Sequence, residues 1–457
     1  MAKIKKYQTV IEDEFAPVVS DVLSAQLMLD LFRNNGEQVR VENDSLRVLS
    51  LFSGCGGMDL GLEGNFLCHS KSVGNSQWID RKVTEDWVLL RRNRMRTVFA
   101  CDILPEARFT WLKYFRRFMV PAEVFHLNSV VDLAKAHEKD KDIFPKNIDI
   151  VTGGFPCQDF SLAGKRQGFN STVSHDGTSS AEDEPKEENR GNLYLWMKQV
   201  IDFVQPKMFI AENVKGLVSL GDAKRIIQQD FSSANGNDYI VLPPQVLHAA
   251  NYGVPESRER IIFIGIKKSA LRREALSALE QDNIPEEFNP YPKPTHNYTV
   301  KDDSLLPPVT CRDVLEGLKE PDHSLDPAQQ TYSKARYFGK KVQGQIEINM
   351  DGIGPTIRSE HHGNIEFRRL SEEHGGRYEK ELKEGKKERR LTPRECALIQ
   401  TFPPDYSFVI KKSYSSGYRV SPSSAYKVIG NAVPPMLAYN IAKRIETVWP
   451  LYFDEHE

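Results

Sequence analysis

Apolar residues along this chain gather in short, β-branched runs set between amphipathic stretches of helical spacing. That alternation predicts an α/β fold with a mostly parallel sheet. Leu46 to Phe52 reads as the first strand, followed by Val98 to Ala100, Ile148 to Val151, Met208 to Ala211 and Ile261 to Ile266. Leu193 to Val204 has helical spacing. At Thr392-Pro393-Arg394-Glu395, threonine at the N-cap, proline at N1 and glutamate at N3 form a capping box that opens another helix. A last amphipathic helix follows Pro434-Pro435 and runs to Trp449.

The polar stretches divide the chain. Residues 1–45, patterned by Val18, Val22, Leu23, Leu27 and Leu31, read as a helical extension packed on the main domain. Residues 46–266 carry the strands, interrupted by insertions at 67–96 and 165–190. Lys165 to Arg190 lacks apolar periodicity and reads as a mobile loop that could act as a lid. From Lys267 the composition turns Pro-rich, Gly-rich and polar, so 267–389 reads as a second, loop-rich domain. Residues 376–390 form a charge-dense, flexible return, and 390–457 rejoin the main domain.

Candidate chemistry sits where strands end. After the first strand, Ser53-Gly54-Cys55-Gly56-Gly57 is a glycine turn of the kind that lets backbone approach a nucleotide-like cofactor, although it is not G-x-G-x-x-G. The second strand delivers Cys101-Asp102, a carboxylate suited to ribose hydroxyls. The third leads into Gly153-Gly154-Phe155-Pro156-Cys157, which presents a thiol on a stiff segment fit for nucleophilic attack. The fourth delivers Glu212-Asn213-Val214 to the same edge, where a half-buried carboxyl can serve as an acid. Arg258 and Arg260 alternate before the fifth strand, so they point to opposite faces and one can face the site. Gly430-Asn431 reads as a turn able to bring backbone and amide groups to a ligand. Within 352–365, Arg358, Ser359, His361, His362 and Asn364 are side chains that hydrogen-bond base edges.

Composition narrows these readings. The six cysteines, at 55, 68, 101, 157, 311 and 396, form no CxxC pair; this argues against a zinc site or a disulfide framework and fits a reducing cytosol. No metal is expected. The start of the chain shows no signal peptide, and no apolar run approaches membrane-spanning length. A net charge of -2 makes no general case for nucleic acid, so such a partner requires local basic patches. The run Arg91 to Arg96 is either one of these or a solvated face.

Together the motifs resemble the cytosine-C5 DNA methyltransferase family. Phe52-Ser53-Gly54-Cys55-Gly56-Gly57 is similar to its first cofactor motif and Gly154-Phe155-Pro156-Cys157-Gln158 to its nucleophile motif. Glu212-Asn213-Val214 and Arg258-Glu259-Arg260 resemble its acid and arginine motifs. Leu391 to Ala397 and Gly430-Asn431-Ala432-Val433-Pro434-Pro435 resemble its last two, and the order and spacing agree over about residues 46–266 and 390–449. The resemblance implies a Rossmann-like S-adenosylmethionine-dependent domain with a smaller target recognition domain at 267–389.

It further implies double-stranded DNA as substrate, a cytosine flipped out of the helix, and S-adenosylhomocysteine as product. Cys157 would attack C6, Glu212 would contact N3 and the exocyclic amine, Arg258 would hold the O2 side, and Arg260 would support the thiolate and its loop. The cofactor would lie along Phe52, Ser53, Gly54, Gly56, Gly57, Asp102, Ile103, Ser129, Pro156, Asn431 and Ala432. A compact monomer in a bacterial or phage cytoplasm, paired with a restriction endonuclease acting on the same site, is the implied setting. Two positions depart from the family pattern: Glu256 stands where glutamine is usual, and Ser129 where an acidic residue often holds the adenine. An RNA-directed enzyme of the same fold and a catalytically idle DNA-binding protein are the competing readings.

Overall fold

The computed structural model describes residues 21–23, 44–118, 120–140, 142–156, 192–219, 222–359, 365–412 and 415–454. The helical extension expected over 1–45, the lid expected over 165–190, Cys157 itself, and His361, His362 and Asn364 therefore lie wholly or almost wholly outside the described residues.

Eight strands form the central sheet: β1 (Leu46–Leu51), β2 (Met95–Cys101), β3 (Phe125–His126), β4 (Ile150–Gly154), β5 (Met208–Val214), β6 (Tyr239–Val241), β7 (Gln245–His248) and β8 (Glu259–Lys267). Their order across the sheet is β3-β2-β1-β4-β5-β8-β7, with β6 also pairing β8. β3 through β5 along that path are parallel, and β8 runs antiparallel to its neighbours. The order reverses between β1 and β4, so their carboxyl ends flank the crevice where open α/β sheets hold ligands.

The apolar runs are continuous because both faces are covered. Val48, Ile150, Ile210 and Ile262 face one core, and their sequence neighbours Leu49, Val151, Phe209 and Phe263 face the other. Helices α1 (Gly57–Glu63) and α2 (Pro105–Phe115) cover the first face, while α3 (Val130–Lys139), α4 (Leu193–Val204) and α5 (Ala223–Ser232) cover the second. The C-terminal α6 (Pro393–Ile399), α7 (Pro422–Asn431) and α8 (Pro435–Tyr452) return to the first face. The capping box at α6 forms as its sequence predicts, with Thr392 and Glu395 capping each other's backbone N–H groups.

Several expectations are corrected. β2 begins at Met95, earlier than the apolar run Val98 to Ala100 suggests, because Thr97 and Met95 are buried despite the intervening arginine. The insertion at 67–96 is a three-stranded antiparallel sheet of Leu67–His69, Ile79–Lys82 and Trp87–Leu90. Its basic run is exposed at Arg91 and partly exposed at Arg92, Arg94 and Arg96, with local partners: Arg91 donates to Gln77 O at 2.9 Å, Arg94 pairs with Asp44 at 2.7 Å, and Arg96 donates to Met95 O at 2.6 Å. Residues 376–390 are charge-dense as expected, exposed or partly exposed up to Glu388 and buried only at their end. Arg389 and Arg390 pair as a strand with Phe367–Arg369, and both are buried. Gly430-Asn431 ends α7 and is not a free turn. Residues 267–389 are loop-rich as expected, yet Val309, Cys311, Val314, Met350 and Ile357 join the same core as Val48 and Ile150.

The close approach of α1 to α8 fixes the glycine loop that precedes α1. A Cβ at Gly61 would lie 2.4 Å from Ala438 Cβ and from Pro435 O, and one at Gly57 would lie 2.2 Å from Val433 O. Gly61→Val is expected to lower unfolding free energy by about 1–3 kcal/mol through overpacking. Urea unfolding of the variant checks this, and unchanged stability would mean that the two helices can separate freely.

Candidate active site

The glycine loop leaves β1 through left-handed backbone at Phe52 (φ 53°), Gly54 (φ 54°) and Gly56 (φ 81°). These residues do different work. A Cβ at Gly54 would meet nothing within 4 Å, so this backbone borders open space, whereas one at Gly56 would strike Trp111 at 2.6 Å. Ser53 Oγ is occupied by Ser50, donating to its carbonyl at 2.9 Å. Below the loop, the buried Asp59 accepts from Ser50 Oγ at 2.5 Å and Trp111 Nε1 at 2.7 Å. Sequence reading missed Asp59; its signal was a lone acid inside the apolar stretch Met58 to Leu62.

Asp102 fastens β2 to this loop. Its carboxylate accepts main-chain N–H from Gly54 at 3.0 Å and from Leu104 at 2.9 Å. Burial pushes its carboxyl up, and those N–H groups pull it partly back. A carboxylate has about four acceptor positions, and with Ile103 N–H also facing it, capacity remains for a ligand hydroxyl. Beside it, Ile103 is 38% exposed, a large apolar side chain left uncovered at a strand end. Asn431 is also exposed, whereas Ala432 is buried. The buried Ser129 Oγ caps α3, accepting from Val131 N at 3.2 Å.

Glu212 near the end of β5 pairs in register with Gly154 of β4. A Cβ at Gly154 would lie 3.0 Å from Glu212 Oε2, so the glycine makes room for the carboxylate. Arg260 Nε meets Glu212 Oε1 at 2.7 Å, and both side chains are nearly buried. Burial pushes the Glu212 carboxyl up, while Arg260 and then Arg258 pull it down. Asn213 Nδ2 donates to Phe155 O at 3.3 Å and so fixes the start of the segment that leads through Pro156 to Cys157. Asn213 was read only as part of a motif; the structure gives it a task.

The two arginines part ways, as their alternation predicts. Arg260, expected to support the thiolate and loop, is the one on Glu212. Arg258, expected at the base, is only 1% exposed. Its guanidinium donates to Ile357 O at 3.0 Å, Gly430 O at 2.9 Å and Ala432 O at 2.7 Å, with Glu256 Oε1 at 3.5 Å. Glu256 in turn accepts from Ile357 N at 2.6 Å.

A nucleophile-bearing strand end, a buried carboxyl paired with arginine, and a glycine loop at one switch point suit group transfer to a ring held between them. Residues 46–447 match the family described as C-5 cytosine-specific DNA methylase. The chain belongs to that family. The Type II methyltransferase M.BsuRI of Bacillus subtilis is 30% identical over 434 residues, covering 92% of this chain and 83% of that protein. The Type II methyltransferase M.BspRI of Lysinibacillus sphaericus is 30% identical over 427 residues, covering 90% and 84%. The crystal structure of the S. pombe Dnmt2 methyltransferase shares the fold, with a TM-score of 0.50 at 17% identity over 88% of this chain and 98% of that one.

In this cytosine-C5 DNA methyltransferase, five of the six cysteines (55, 68, 101, 311 and 396) are free and buried. Burial pushes each thiol up, to about 12 for Cys311. Such thiols are poor nucleophiles. Among the residues expected to read DNA, Arg358 lies 3.5 Å from Glu366, and its backbone, with that of Ser359, presses on Gly430: a Cβ there would lie 2.2 Å from Arg358 C. No helix among the described residues is long and apolar enough to cross a membrane.

Two pH effects follow. Burial raises Asp59 from 3.8 to about 7. Between those values the unfolded chain ionises while the fold keeps the proton, so rising pH costs stability across that window and no more above it. Asp59→Asn should flatten this part of the stability–pH curve in denaturant titrations; an unchanged curve would assign the slope elsewhere. Arg260 favours the ionised form of Glu212, so Arg260→Gln raises the Glu212 pKa further. If the protonated form is the active one, the alkaline limb of kcat/KM moves to higher pH, and an unmoved limb removes Glu212 as the titrating acid.

Proposed function

We propose that this methyltransferase modifies a cytosine flipped from a specific short duplex sequence, with Cys157, Glu212 and Arg260 acting directly on the base and Arg258 as a positioning residue. The observation that carries the reading is the Glu212–Arg260 pair at 2.7 Å beside Gly154, three residues before Cys157.

The loop fits S-adenosylmethionine. Gly54 borders open space, Ile103 offers an uncovered apolar face, Asp102 keeps acceptor capacity, and the exposed Asn431 supplies an amide. Phe52, Ser53, Ile103 and Pro156 would line the cofactor, whereas Gly56, Gly57, Ser129 and Ala432 would shape its wall. When bound, the cofactor supplies a sulfonium-activated methyl group. The protein's own work is to make C5 nucleophilic. Cys157 thiolate adds to C6, and the charge that develops at N3 is met by the Glu212 carboxyl, held ready to protonate by burial. Arg260 keeps that carboxyl oriented and stands beside the O2 side of the ring. Departure of the C5 proton and of Cys157 restores aromaticity and frees the thiolate. Flipping the base costs a few kcal/mol of unstacking, which contacts from residues 267–389 offset. Within them Arg358, Ser359, His361, His362 and Asn364 are assigned to the DNA.

A cognate restriction endonuclease acting on the same site, a bacterial or phage cytoplasm and a monomeric state belong to the same reading; the Type II names of the relatives support it.

The deciding experiment is a genome-wide 5-methylcytosine map from a methylation-free bacterial host expressing this chain or its Cys157→Ser variant. One short motif methylated by the wild type alone is the expected outcome, with DNA binding kept in the variant. An unmethylated genome despite soluble protein would overturn the proposal. In purified protein, Glu212→Gln should lower kcat by about 100-fold or more while leaving DNA affinity near wild type, and full activity would remove Glu212 from the chemistry.

A further inference from the structure

Residues 331–346 hold Lys334, Arg336, Lys340 and Lys341 and no aspartate or glutamate, in a chain whose net charge is -2. The flanking acids are withdrawn: Asp326 is buried against Arg394 at 2.5 Å, and Glu347 is buried and accepts from Arg377 N at 2.8 Å. Among the described residues none of the four cations makes an ion pair, although Lys334 Nζ lies 3.4 Å from the centroid of the Tyr332 ring.

Exposure along this strap alternates. Lys334, Arg336, Phe338 and Lys340 are exposed, and Ala335, Tyr337 and Gly339 between them are partly covered. A two-residue alternation puts the exposed set on one face of the segment. Phe338, 66% exposed, stands among the cations. Tyr337 turns inward, with its ring centroid 5.9 Å from that of Phe367 and 4.3 Å from that of His374.

The strap is held from behind. The buried Arg390 donates to the carbonyls of Ala335 (2.9 Å), Arg336 (3.0 Å) and Gly344 (2.8 Å). Phe338 N donates to Gln345 Oε1 at 2.8 Å. With its main chain tied down, the outward side chains are presented at little further ordering cost. The far end reaches the site through Gln343, whose amide oxygen, turned toward Arg358, accepts from its Nη2 at 3.1 Å. Arg358 follows Ile357, the residue that Arg258 and Glu256 grip.

We propose that this strap is a duplex-DNA contact face, with Lys334, Arg336 and Lys340 on phosphates and Phe338 against base edges. The chemistry selects the partner. Cations in line without carboxylate partners suit a polyanion, and an uncovered aromatic ring between them suits stacked bases. Six residue steps span at most about 20 Å, roughly six base pairs of rise, which matches a short target. The inference deepens the DNA-modifying reading above and rests on it.

The test measures binding of the full-length protein to a duplex carrying its methylated motif, and to one lacking it, across salt concentrations. Lys334→Ala/Arg336→Ala/Lys340→Ala should reduce the slope of log affinity against log salt by about 2–3, equally on both duplexes. Phe338→Ala should leave the slope alone and lower the preference for the motif several-fold. All four side chains are exposed, so melting curves should match the wild type. A triple variant with the wild-type slope overturns the strap as a phosphate face, and an unchanged preference in Phe338→Ala removes the ring from base contact. A wild type that binds no duplex would overturn the DNA-modifying reading itself; a wild type that binds and methylates, beside an unaltered triple variant, sinks the strap alone.

Discussion

One buried guanidinium joins the parts of this molecule. Arg258 lies just before β8 and donates to carbonyls from the 267–389 segment (Ile357) and from the end of α7 onward (Gly430, Ala432). Three main-chain acceptors come from two distant stretches of chain, so one side chain sets the spacing between the sheet, the variable region and the C-terminal return. A cation held at 1% exposure needs such partners, because burying a charge without them costs several kcal/mol. Arginine suits the task, having a fixed fork of donors that never loses its charge.

Glu256 makes sense beside this joint. The family pattern has glutamine there, and a neutral amide would satisfy hydrogen bonds alone. The carboxylate does that for Ile357 N and also offsets part of the Arg258 charge. Burial pushes the Glu256 carboxyl up and Arg258 pulls it back, so the pair is stable only as a pair. The adjacent site inherits its geometry from that balance: two residues on, Arg260 enters β8 in register with Val214 and reaches Glu212 across the strand pair.

The strands, the capped α6, and the convergence of Gly54, Asp102, Gly154 and Glu212 on one sheet edge were legible because they rest on local pattern and on glycine's special backbone. Period-two burial and short β-branched runs leave little choice of element. The long-range polar pairing was not legible. Alternation said that Arg258 and Arg260 diverge, but nothing local says which meets a carboxylate and which meets carbonyls contributed from about 100 and 170 residues away. The same holds at the end of the charge-dense return, where nothing local says that Arg389 and Arg390 are buried.

Charge runs are the general form of that difficulty. Arg369, Arg389, Arg390 and Arg394 are all buried, and each is spent on a named carboxylate or carbonyl: Arg389 on Glu395 at 2.9 Å, Arg394 on Asp326, Arg390 on the strap, Arg369 on Glu320 at 2.8 Å. Composition counts them as surface basicity, yet they contribute no field that a ligand could use. The near-neutral net charge of the chain therefore conceals an uneven distribution, in which many cations are neutralised inside and a few stand outside without an ion pair among the described residues. In such a protein the informative quantity is not how many arginines and lysines a segment holds but how many the fold leaves without a partner. By that measure the strap at 331–346 stands out, because none of its four cations makes an ion pair among the described residues, whereas Arg94 in the denser run at 91–96 pairs with Asp44.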